Sequence, residues 1–177
     1  MIDTARLQLR TMTEHDVDDL LRIFSDPVAM QYYPRTRTRD EVKEWICRTM
    51  EDYRRFGVGM WVIEDKTDKS FLGQCGIVPQ EVHEGTVEYE IGYLLVSQFW
   101  GKGYATEAAR ACRNWGFEHL TVPHFISIIN PRNSPSIRVA ERNGMALREY
   151  ADWRNKTVAI YAITRSGWNA LPLQQWS

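Results

Sequence analysis

Cysteine is scarce in this chain of 177 residues: Cys47, Cys75 and Cys112 are odd in number, widely spaced and without a CxxC pair. That excludes a disulfide framework and a zinc ribbon, and it reads as reduced thiols in a cytoplasmic protein. Nowhere do eighteen consecutive apolar residues occur, so no membrane span is expected, and the opening "MIDTARLQLR" lacks the apolar core of a signal peptide. Neither sign of charge dominates. With 22 Lys and Arg against 23 Asp and Glu, the net charge of -1 offers no broad footprint for nucleic acid or an anionic membrane surface. His15, His83, His119 and His124 have no metal-ligand spacing, so no metal is expected. Repeats, low-complexity tracts and linkers are also missing, and 44% hydrophobic content at this length suits one soluble globular domain over residues 1–177.

The elements present follow a readable order. Residues 6–11 ("RLQLRT") alternate as a strand, and Thr13 and Asp16 have capping-box spacing ahead of Val17, Leu20, Leu21 and Phe24, a short helix ended by Asp26-Pro27. A loop rich in aromatics and arginines, "VAMQYYPRTRT", comes next. Thr38 and Glu41 then repeat the capping spacing before the apolar stripe Val42, Trp45, Ile46, Thr49, Tyr53 and Phe56, and Gly57 stops that helix. The strands "VGMWVIED" and "FLGQCGIV", joined by "KTDK", form a hairpin. A third meander strand runs from Val87 to Val96, and its run "IGYLLV" suits a central strand covered on both faces. A helix with Ala105, Ala108, Ala109, Cys112 and Trp115 on one side leads to the strand "FISIIN", which implies a parallel pair joined by a right-handed crossover. Asn133, Ser134 and Pro135 open a short helix closed by Asn143-Gly144, and "ALREYADW" and "TVAIYAIT" are the last strands. The order is β-α-α-β-β-β-α-β-α-β-β.

One stretch, "QFWGKGYATEA" (98–108), carries chemistry. Two glycines flanking a lysine, where a strand turns into a helix, let backbone amides converge on an anion, and the helix N-terminus adds roughly half a positive charge. A Walker loop is excluded, because Val96 stands where its first glycine should be and Gly103 where Ser or Thr should follow the lysine. The dinucleotide fingerprint fails at Thr106 and lacks an opening βαβ unit.

What fits is Gln98-x-x-Gly101-x-Gly103 followed at once by a helix, and this resembles the pyrophosphate loop of the GNAT superfamily of acetyl-coenzyme A dependent N-acetyltransferases. The resemblance spreads over nearly the whole chain: "DPVAMQYYP", "EIGYLL", "WGKGYATEA" and "NPRNSPSIRVAERNGM" are similar to the RimJ/RimL branch, whose known members acetylate N-terminal amines of ribosomal proteins. It implies an α/β fold with a central mixed, mostly antiparallel sheet splayed at a parallel strand pair. Acetyl-CoA is then the co-substrate and a primary amine the acceptor, either a peptide N-terminus or a small amine such as an amino acid, polyamine or antibiotic. A non-catalytic coenzyme-binding sensor is the reading from another class. Exposed aromatics and strand edges leave room for a homodimer.

Acetyl transfer to an amine needs a neutral amine, a donor for the developing oxyanion and a proton for the departing thiolate. The resemblance assigns candidates to each. Glu90, in "EIGY", matches the position near the amine and is expected to act through water. Glu88 shares its strand face and is either a pocket residue or the partner of an arginine from "RTRTR". A backbone amide at Leu95 or Val96 is expected to receive the oxyanion. The amides of Gly101, Lys102, Gly103, Tyr104 and Ala105 would take the pyrophosphate, with Gln98 shaping the loop. Many family members carry a tyrosine four residues before the glycine that ends the fourth helix, as the thiolate's acid; here that position is Ala140. Ser136 is the substitute the resemblance offers, facing the sulphur, and Asn133 would contact the pantetheine or hold a water. Capping alone also selects Asn, Ser and Pro at a helix start. Met30, Tyr32, Tyr33 and Trp61 are expected to line the acceptor pocket.

Overall fold

A computed structural model describes residues 1–172. In chain order the elements are β1 (Ile2–Asp3), β2 (Leu7–Thr11), α1 (Val17–Phe24), α2 (Arg39–Phe56), β3 (Met60–Asp65), β4 (Phe71–His83), β5 (Thr86–Leu95), α3 (Tyr104–His119), β6 (His124–Ile129), α4 (Ser134–Arg142), β7 (Ala146–Trp153), β8 (Lys156–Thr164) and α5 (Arg165–Asn169). They form one eight-stranded sheet in the order β1-β2-β3-β4-β5-β6-β8-β7, antiparallel except where β5 meets β6. Both capping boxes are present, Thr13 with Asp16 and Thr38 with Glu41, and α2 ends on a left-handed Gly57. Three features lie beyond the sequence reading: the two-residue β1, the closing α5, and β4 running on to His83. Pro79 and the polar residues after it hide that extension from any apolar pattern, yet Pro79 still pairs with Tyr89 across the hairpin.

Strand periodicity assigns each core residue to one of two faces. Met60 and Val62 point to the layer of α1 and α2, where they meet Leu20, Phe24, Val42 and Ile46. Trp61 and Ile63 point to α3, whose small residues Ala108, Ala109 and Cys112 are 0% exposed and let the helix lie close to the sheet.

The parallel pair opens a gap. β5 and β6 share one registered pair, Glu90 with Ile126, and Ser127 Oγ donates to the Ile91 carbonyl at 2.8 Å. Beyond that point β6 follows β8, with which it pairs from His124 to Ile129, and leaves the end of β5 without a neighbour on that side.

Candidate active site

Which backbone groups face the gap follows from register. The Val96 amide donates to the Leu72 carbonyl of β4 at 3.0 Å. In an antiparallel ladder alternate residues bond to opposite sides, so Tyr93 and Leu95 turn their N–H and C=O groups toward the open edge. The Leu95 carbonyl is taken by the Trp100 indole N–H at 3.0 Å, and the Tyr93 hydroxyl spans the gap to donate to the Ser136 carbonyl at 2.7 Å. The gap widens into a cleft of about 240 Å³, bounded by Tyr32 and Tyr33, by Tyr93 to Leu95, by the glycine loop, and by Asn133, Ser136, Arg138 and Arg142 of the α4 segment.

The loop at the head of α3 turns on two left-handed glycines. Gly101 and Gly103 have φ of +77° and +82°, a left-handed geometry that side chains with a Cβ adopt only at a cost. Gly103 is the N-cap of α3, so the first amides of the helix point out of its end with no intrahelical carbonyl to meet. The loop is braced from both sides. Glu107 accepts from Thr4 Oγ1 (2.6 Å), the Arg6 amide (2.9 Å) and Arg6 Nε (2.7 Å), while Arg6 Nη1 donates to the Lys102 carbonyl and its guanidinium lies 4.5 Å from the Tyr104 ring centre. On the other side Ser97 Oγ donates to Asp26 at the end of α1.

Asn133 caps α4, its side chain accepting from the Ser136 amide at 3.2 Å, which leaves the Ser136 hydroxyl with no hydrogen-bond partner among the described residues. Ala140 is fully buried and faces the core. α4 is tied to α3 by Arg113, itself 0% exposed, whose Nη1 donates to the Asn143 carbonyl at 2.7 Å; burial pulls its pKa down to about 10.

Residues 6–146, which include the β5 edge and the glycine turn, match the family model of the acetyltransferase (GNAT) domain. The chain belongs to the GNAT family. It is 41% identical to the protein YkkB of Bacillus subtilis (strain 168) over 89% of this chain and 92% of that one. The uncharacterized N-acetyltransferase p20 of Bacillus licheniformis is 30% identical, with coverage of 91% and 93%. A crystal structure of an acetyltransferase from Agrobacterium tumefaciens str. C58 superposes with a TM-score of 0.80 at 29% identity, covering 92% of each chain. This GNAT protein is an acetyl-CoA dependent acyltransferase with a mixed sheet of the family kind.

The two carboxylates expected at the site both lie on β5 and behave differently; Glu90, like Glu88, is not among the residues that border the cleft. Glu90 accepts from Gln80 Nε2 at 2.8 Å and weakly from the Ile128 amide at 3.4 Å. Burial raises its pKa against the opposing pull of those hydrogen bonds, the condition for a carboxylate that exchanges protons nearer neutrality. Glu88 does not line the cleft. Its pairing partners are Arg148 of β7 (2.5 and 3.0 Å) and His124 Nε2 (2.6 Å), not an arginine of the "RTRTR" loop, and chiefly the Arg148 hydrogen bonds hold its pKa down to about 2.

Other expected site residues divide in the same way. Tyr32, Tyr33, Leu95, Gly101, Gly103, Tyr104, Ala105, Asn133 and Ser136 all border the cleft. Trp61 does not: strand phase turns it to the α3 face, where it packs edge-on to Trp115 with ring centres 5.3 Å apart. Val96 is buried with its amide committed to Leu72. Gln98 and Lys102 are exposed and do not border the cleft; Lys102 Nζ sits 5.3 Å over the Phe99 ring. Met30 is 3% exposed and lines a neighbouring cavity instead. Sequence reasoning missed Tyr93, Trp100, Arg138 and Arg142. Tyr93 lay inside the quoted "EIGYLL", but only strand splay explains its position at the gap.

Proposed function

We propose that residues 1–177 act as a single GNAT N-acetyltransferase domain that transfers acetyl directly from acetyl-CoA to a primary amine, with an N-terminal amine of a protein as the RimJ/RimL-like acceptor. Acetyl-CoA supplies an activated thioester acyl group. The observation that carries the reading is the free edge of β5 at Tyr93 and Leu95 ending on the glycine turn and the α3 N-terminus, since an extended polar arm can pair along such an edge while its phosphates meet the amides. The Leu95 amide faces the opening and is the donor for the acyl oxygen. The amides from Gly101 to Ala105 hold the pyrophosphate, and Arg138 and Arg142 on the far wall add positive charge.

Glu90 relieves the amine of its proton, through water, because a carboxyl raised by burial is better matched to an ammonium than an exposed one. Ser136 offers its unpartnered hydroxyl to the departing sulphur, beside an α4 N-terminus that favours negative charge there. The position of Ala140 in the core supports this division of labour. The reading places the protein in the cytoplasm, consistent with the free thiols of Cys75 and Cys112 standing 3.5 Å apart. Free thiol released from acetyl-CoA, followed over peptides with different N-termini and over small amines, tests it. Turnover with a subset of peptides is expected, turnover with small amines alone moves the acceptor to that class, and coenzyme binding without any turnover removes the enzymatic reading.

A further inference from the structure

Beside the cleft, between the loop after α1 and the first turns of α2, lies a second cavity of about 210 Å³. Its charged lining is Arg35, Arg37, Arg48, Glu41 and Glu44. Glu41 is already spent: it pairs with Arg35 and closes the capping box at Thr38. Arg37 and Arg48 remain, with no carboxylate hydrogen-bonded to either among the described residues; Glu44 shares the lining, and Asp52 acts on Arg48 only electrostatically. Arg37 is half-buried, its guanidinium carbon 4.6 Å from the Phe24 ring centre and 4.9 Å from the Trp45 ring centre, so the two edge-on aromatics fix its position while no side-chain hydrogen bond to it is seen among the described residues. Burial, and after it the charge of Arg48, pull the Arg37 pKa below its ordinary value against the opposing effect of Tyr33 and Glu41. Tyr33, 43% exposed, borders both this cavity and the cleft and lies within electrostatic reach of Glu90. The arginine cavity therefore adjoins the amine end of the site.

We infer that the acceptor is a primary amine that also carries a carboxylate, held by Arg37 and Arg48 in this cavity while its nitrogen reaches past Tyr33 toward Glu90. The inference rests on the acetyltransferase reading and names the substrate class for it. Three arginines against two glutamates leave one net positive charge, which matches a single carboxylate. A guanidinium held in place by two aromatic rings presents the forked donors that a carboxylate accepts.

The test compares acceptors that differ only in that charge. One arm uses β-alanine against β-alaninamide; the other uses peptides whose second residue is Glu against Gln. Thiol release from acetyl-CoA gives kcat/KM for each. An advantage of about ten- to a hundredfold for the acidic member is expected in one arm, the size of a charge-assisted hydrogen-bonded contact, and the arm that shows it identifies the source of the carboxylate. In Arg37→Gln and in Arg48→Gln the acidic-to-neutral ratio should fall toward one, with the loss in KM for the acidic acceptor. Arg48 is exposed, so its variant reports on recognition even if the Arg37 variant unfolds, and Arg37→Lys should recover only part of the ratio. A wild-type ratio near one in both arms, or a ratio untouched by Arg48→Gln, overturns the inference while leaving the enzyme standing. Coenzyme binding with no thiol release on any acceptor overturns both.

Discussion

Replacing Gly103 by alanine asks whether the α3 cradle holds the coenzyme, and the structure sets the size of the answer. At a φ of +82° an L residue carries a backbone cost of about 1–2 kcal/mol. The added methyl brings little more, because its nearest neighbour is Arg6 Nη2 at 3.4 Å, the end of a flexible side chain. The loop from Gly101 to Gly103 is exposed and can shed the strain by turning its peptides out of the left-handed region, which takes the amides of Gly103 and Tyr104 off their common aim. Binding must restore that geometry, so Kd for coenzyme A should rise by about 5- to 30-fold. Gly57→Ala is the matched control: φ is +71°, no atom lies within 4 Å of the new Cβ, and the site caps α2 away from the cleft. Gly57→Ala should lose roughly 2–8 °C in Tm, at about 2–4 °C per kcal/mol for a chain of this length, and Gly103→Ala less than that because its loop sheds part of the strain. Calorimetric titration with coenzyme A separates them. Equal Kd values for Gly103→Ala, Gly57→Ala and wild type, with Tm lowered in both variants, would refute the cradle.

Three further outcomes are expected. The wild-type rate should fall on the acid side at a pH above the ordinary carboxylate range, because Glu90 accepts no proton once it is itself protonated and burial raises the pH at which that occurs; Glu90→Gln should lose about a hundredfold or more in kcat together with that acid limb, and a wild-type profile flat across the region would sink the assignment. Ser136→Ala should lower kcat by about tenfold, one hydrogen bond to a charged sulphur, with Tm unchanged, whereas Asn133→Ala should cost about 1 kcal/mol of stability because Asn133 is the cap; a Ser136 variant that loses stability but keeps turnover would reverse the two roles. Glu88 is held down to about 2 from 4.5, so its contribution to stability is present above pH 4.5 and is lost as pH falls from there toward 2; Arg148→Met should move the acid-unfolding midpoint to higher pH and lower Tm at neutral pH, and an unchanged acid transition by circular dichroism would contradict the ion pair's role.

The parts of the fold that were legible rest on local physics. A capping box closes over three residues, so Thr13 with Asp16 and Thr38 with Glu41 announced their helices without help from elsewhere. The glycines of "WGKGYATEA" likewise announce a left-handed turn before a helix, and the single crossover strand forces a parallel pair. Proline and polar residues hid the far half of β4, because an edge of pairing is not a pattern of hydrophobicity.

Sequence alone thus determined the order of elements from β2 to β8 and the glycine turn ahead of α3, and the family resemblance added the candidacy of Glu90, Asn133 and Ser136. Tertiary structure decided which groups meet. Whether Trp61 or Met60 faces a given layer, and whether Leu95 or Val96 aims its amide at the gap, depends on strand phase and on a register set by Leu72 and Gly73. Glu88 found Arg148, a residue sixty positions away, and Glu41 pairs with Arg35 while no carboxylate is hydrogen-bonded to Arg37 among the described residues. Register and pairing are relations between distant segments, and no window of sequence contains both partners.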